Sequence, residues 1–125
     1  MHGIAGVVGG MVDAPHGAVC AALLAPVAEA NLRALRERDP ASPGLRRYAQ
    51  VARLLTGRDG APAEDAVDWL RATVAALDVP PLGAVGLRQA QYAEVAEKAA
   101  RSSSMQGNPV PLTQDDLLAV LEAAS

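Results

Sequence analysis

Proline punctuates this chain often enough to set its architecture. Breaks stand at Asp13-Ala14-Pro15, at Asp39-Pro40-Ala41-Ser42-Pro43, at Val79-Pro80-Pro81-Leu82-Gly83 and across Ser102 to Pro111. Proline has no backbone N–H to donate and ends a regular element unless it sits in a helix's first turn. Between the breaks, apolar residues recur at spacings of three and four. Tyr48, Val51, Ala52 and Leu55 share one helical face, as do Val67, Leu70, Val74 and Leu77, with Trp69 at the edge of that stripe. The filling residues are mostly Ala and Leu, with one Trp, two Tyr and no Phe. Strands draw on β-branched and aromatic residues instead. The pattern predicts an all-α fold, a bundle of about six helices forming one domain over residues 1–125.

The ends of the helices are legible too. The first segment, Met1 to Val12, is small and apolar. Each of its glycines costs about 1 kcal/mol relative to Ala in a helix, so it needs support from neighbours, some of them outside this chain. Ile4, Val7, Val8 and Met11 are therefore expected to lack cover and to drive assembly into a homo-oligomer. A second helix runs from Pro15 to about Arg38 through Val19, Leu23, Leu24, Val27 and Leu35, and Pro26 inside it predicts a kink or a short interruption. Ser42 caps a third, with Pro43 at its first position and Gly57 as a left-handed C-cap. Glu64 and Asp65 suit the positive end of a fourth. A fifth covers about Arg88 to Arg101. Thr113 opens the last, with Asp116 reaching back and Leu112 and Leu117 placed as a hydrophobic staple.

Net charge is −3, and Arg33, Arg36, Arg38 and the Arg46-Arg47 pair read as solvated helix faces. Without a basic face or stacking aromatics, nucleic acid is not an expected partner. Cys20 is the only cysteine, which excludes an intrachain disulfide and fits a reducing compartment. No apolar run reads as a membrane span and no cleavable signal pattern follows Met1, so a soluble, cytoplasmic protein is expected. No Gly-rich loop joins a strand to a helix, so no phosphate cradle is visible.

Chemistry must come from few residues. The two histidines, His2 and His16, are fourteen positions apart. One straight helix would separate them by about 21 Å, too far for a shared metal. The break at Asp13 to Pro15 lets the chain reverse and bring His16 back towards His2. Spacing alone gives a weak signal, and Asp13 is explained as well by helix capping as by metal binding. Cys20 lies one turn after His16, a spacing that suits soft metals. An isolated Cys among Ala and Val is more often a buried apolar residue. Ser102 to Ser104 reads as a solvated loop.

The stretch from His2 to Leu32 resembles the metal-site region of iron-containing alcohol dehydrogenases. The resemblance lies in His2, Gly9-Gly10, Pro15-His16-Gly17 and Asn31, and in Asn108-Pro109-Val110-Pro111-Leu112-Thr113 before the last helix. It spans essentially the whole chain. It implies the helical C-terminal domain shared with dehydroquinate synthase-like proteins, set beside an N-terminal nucleotide-binding half. It implies a divalent metal, commonly iron and sometimes zinc, held by one Asp and three His, with His2 and His16 as two of the four. It implies hydride transfer between a small alcohol or aldehyde substrate and the cofactor NAD(P), with Ser102 to Ser104 near the lower cleft.

The sequence also departs from that family. Gly6 stands where many members carry another histidine. The remaining ligands and the cofactor loop belong to a stretch that would precede residue 1, so the chain is expected to be truncated on its N-terminal side. Alone it is expected to bind no NAD(P) and to oxidise no alcohol. The competing expectation is a non-catalytic helical interaction module derived from the same family.

Overall fold

One helix organises the others. The computed structural model describes residues 1–125, and in it α2 (His16–Arg38) packs against α1 (His2–Met11), α3 (Pro43–Thr56), α4 (Glu64–Ala76) and α6 (Gln114–Ala123). The remaining helix, α5 (Tyr92–Ala100), lies against α1 and α6. Six α-helices and no strand confirm the all-α expectation. By length and mean hydropathy α2 passes as a membrane span, contrary to the sequence reading, but most of it is buried inside the fold. Its apolarity is that of a central helix with neighbours on several sides.

The main core joins α1, α2, α5 and α6 through Ile4, Val8, Val19, Leu23, Val95, Leu117 and Leu121. Val7 and Met11 pack against it from the rim. The expectation that the first helix lacks cover fails for Ile4 and Val8, because α2 and α5 of the same chain bury them, while Val7 and Met11 stay half-buried. Ala5, Ala96 and Ala99 are wholly buried where the helices meet. Side chains that small let helix axes approach closely, so a core can close almost without aromatics. Leu82 and Leu87 complete it from the loop after α4, which the sequence reading took only as a terminator. A backbone bond from Leu82 N–H to the Ala124 carbonyl (2.9 Å) holds that loop on α6, and its tight turn places Gly86 at φ 99°.

The α3–α4 hairpin forms a second layer on α2 with a thinner core of Ala28, Leu32, Ala63 and Val67. Its outer side is open. Leu77 at the α4 C-cap is 71% exposed, Val51 42% and Trp69 38%, so the expected stripes are covered only where α2 or the α3–α4 contact around Ala52, Ala61 and Ala66 reaches them. Arg36 and Arg38, expected to be merely solvated, bridge elements. Arg36 pairs with Glu64 of α4, and Arg38 with Asp116 of α6.

Most boundaries follow the sequence. Ser42 accepts from Gly44 N–H, and Gly57 caps α3 at φ 69°. Thr113 and Asp116 form a reciprocal capping box, with Leu112 and Leu117 both on the core. Two expectations need correction. No interruption occurs at Pro26, where α2 runs on; the packing around α2 outweighs the missing hydrogen bond. The fifth helix begins at Tyr92 rather than Arg88, because Gln89–Gln91 is a 3₁₀ turn held by Gln91 Oε1 accepting from Arg88 N–H (2.9 Å).

Candidate metal centre

The connector between α1 and α2 decides where the histidines meet. The ten residues of α1 rise about 15 Å. Val12 and Pro15 are extended, at φ/ψ of −134°/149° and −59°/123°, and a tight turn at Asp13, with Ala14 N–H donating to the Val12 carbonyl (3.0 Å), redirects the chain between them. The chain thus turns back towards the start of α1 before α2 begins. His16 starts α2 beside His2 at the start of α1, with ring centroids 5.6 Å apart and planes 13° from parallel. Spacing suggested this reversal, and the geometry has it. The N-cap of α2 is Pro15 without a side-chain cap, so the capping role expected of Asp13 is not there.

The third member of the cluster was underrated. Cys20 lies on the same face of α2 as His16, one turn later, with Sγ 3.4 Å from His16 Nε2 and 3.8 Å from His2 Nδ1. One donor atom from each of His2, His16 and Cys20 lies within 4.8 Å of the others, and Asp13 is not among them. The two imidazoles are exposed while Cys20 is half-buried against the main core. The His16–Cys20 spacing was visible in sequence, but nothing there showed that His2 closes on the same sulfur.

Packing fixes both arms of the cluster. Val19 and Leu23 next to Cys20 are fully buried, as are Ile4, Ala5 and Val8 next to His2. Gly3 is where α1 meets the loop after α5: a Cβ there would come within 2.5 Å of Met105 Sδ. That contact sets the 3₁₀ turn Ser103–Gly107 beside the His2 end of α1. Ser103 and Ser104 themselves point into solvent.

The two asparagines of the flanking motifs pair with each other. Asn31 Nδ2 donates to Asn108 Oδ1 (3.1 Å), and Asn108 Nδ2 returns a bond to Asn31 Oδ1 (2.7 Å). Asn31 also donates to the Tyr48 hydroxyl (3.0 Å), and Asn108 to the Val110 carbonyl (2.7 Å). Burial pushes the Tyr48 phenol above its usual pKa, with the Asn31 bond opposing. These motif residues are a part-buried clamp between α2 and the loop before α6, not part of the donor cluster.

Comparison with known proteins agrees with the all-α fold. The model of the family described as "Fe-containing alcohol dehydrogenase family, C-terminal" matches residues 1–125. A 1,3-propanediol oxidoreductase of known structure is similar at 26% identity and a TM-score of 0.83, covering 99% of this chain and 32% of that one. The fold is also that of a variant of ADH/D1, an archaeal halo-thermophilic alcohol dehydrogenase from a Red Sea brine pool. That match has 23% identity, a TM-score of 0.80 and the same shares of the two chains. The chain thus spans about a third of the length of the solved structures it matches. No curated protein matches it.

Proposed function

Because the chain belongs to the iron-containing alcohol dehydrogenase family, as its C-terminal domain, we propose that it is the metal-holding helical part of an enzyme moving a hydride between a small alcohol or aldehyde and NAD(P). The observation that carries this reading is the meeting of His2 and His16 at the starts of two packed helices, with donor atoms close enough to share one cation. His2 and His16 would hold a divalent iron or zinc ion. Such an ion acts as a Lewis acid on an alcohol or carbonyl oxygen.

The rest of the chain orients and shields. Val19 and Leu23 fix the His16 arm, while Ile4 and Val8 fix the His2 arm. Met105 over Gly3 closes one side of α1. Both imidazoles face outward, where a nucleotide-binding half would bring NAD(P) and further ligands. Its compartment on this reading is the cytoplasm.

The test joins the chain to a nucleotide-binding half of the family, loads the protein with Fe(II) or Zn(II), and follows NAD(P)H with 1,3-propanediol and other short alcohols. That diol comes first because a similar structure is an oxidoreductase for it. Turnover in the joined protein, none in the chain alone, and loss of at least a hundredfold on His16→Ala are expected. A joined, metal-loaded protein inert towards every alcohol and aldehyde tried would favour a non-catalytic module.

A further inference from the structure

We propose that Cys20 is a metal ligand, so that His2, His16 and Cys20 form a three-donor site for a zinc-type cation within this chain. The inference rests on the reading above that the two histidines hold a metal, and adds a thiolate to them. The first support is metric. Metal–nitrogen bonds of about 2.0–2.1 Å and a metal–sulfur bond of about 2.3 Å in a tetrahedral shell place nitrogen and sulfur about 3.5 Å apart. The observed separations, 3.4 Å to His16 Nε2 and 3.8 Å to His2 Nδ1, bracket that edge. The two rings now stack. Both are exposed, so each ring has room to turn about its side-chain bonds towards a shared cation.

Position gives the second support. His16 and Cys20 stand one turn apart on the central helix, so two donors are fixed before any metal arrives. Cys20 packs half-buried against the core, where a bare thiolate would be poorly hydrated and a cation beside it is stabilising. The histidines lie on the solvent side, leaving a fourth position for water or another oxygen. Three protein donors with one open position is the pattern of catalytic zinc sites. On binding, the thiol gives its proton to solvent and its sulfur electron pair to the cation. A sulfur donor turns the preference towards Zn(II) and Co(II) and away from Mg(II) and Mn(II).

Co(II) titrated into the full chain under reducing conditions tests this, because thiolate bound to cobalt gives an intense near-ultraviolet charge-transfer absorption. One equivalent producing that band, bleached by Zn(II), is expected. Cys20→Ser should remove the band and weaken Co(II) binding at least tenfold, with helix content unchanged by circular dichroism. His2→Ala and His16→Ala should each weaken binding as much. Co(II) bound without the band, as tightly by Cys20→Ser and lost only with the histidines, would overturn the role of Cys20 and leave the two-histidine reading standing. No binding at all would overturn the self-contained site. The same titration in the joined two-half protein would then show whether the histidine reading survives with ligands from elsewhere.

Discussion

At the scale of single residues, Asp116 shows how one side chain serves several neighbours. It caps α6 by accepting from Thr113 N–H (2.8 Å) and accepts from Arg38 Nη2 (2.7 Å), while Arg38 Nη1 reaches the Pro111 carbonyl (3.0 Å). Burial alone would raise its pKa, but the bonds from Thr113 and Arg38 outweigh this and hold the carboxyl below its usual value. A depressed folded pKa gives stability that is full above the unfolded value of about 3.9 and is lost as pH falls through the folded value. Urea unfolding of the wild-type chain should therefore weaken as pH drops below about 4. Asp116→Asn should flatten that part of the acid slope and lose about 1–2 kcal/mol at neutral pH, a figure discounted for the part-exposed Arg38. The capping half of this arrangement was legible, since Thr113 and Asp116 are three residues apart. The Arg38 half was not, because 78 positions separate the partners and an arginine on a helix reads as solvated. Cys20 was legible only in part: its spacing from His16 suits soft metals, but among Ala and Val its environment suggests plain burial, and only the reversal after α1 brings in the second histidine.

At the scale of elements, α1 is the least self-sufficient helix. It keeps its form through Ile4, Ala5 and Val8, while a Cβ added at Gly6, Gly9 or Gly10 would meet nothing within 4 Å. None of these three has a positive φ, so Ala fits each without strain. Gly9→Ala and Gly10→Ala should each stabilise the chain by about 0.5–1 kcal/mol, read as a higher thermal midpoint. Unchanged or lower midpoints would mean that α1 is not helical there in solution. Helix existence and most caps were legible because proline, glycine and the Ser, Thr and Asp caps act locally. What escaped depends on packing: α2 runs through Pro26 because its neighbours hold it, and Leu82 and Leu87 are core residues delivered by a loop with no periodicity to announce them.

At the scale of the molecule, α2 divides the protein into two unequal layers. The side with α1, α5 and α6 holds most of the large buried side chains, while α3 and α4 contribute chiefly Ala52, Ala66 and Val67. Local stability follows buried apolar area. Amide hydrogens of α3 and α4 should exchange with deuterium sooner than those of α2, α5 and α6, and equal protection throughout would show a single cooperative unit. The Asn31–Asn108 clamp, spanning 77 positions, adds a consequence in time. It encloses α3, α4 and α5 as a long stretch whose two ends must be brought together late, after local helices exist. Closing so long a stretch is entropically slow to begin but only weakly sensitive to its length, each doubling costing about 0.6 kcal/mol. Within that stretch the α3–α4 hairpin, which adds no side chain to the main core, is therefore the part of this chain that can lengthen or shorten over descent, while α5 and the histidine-bearing helices keep their places.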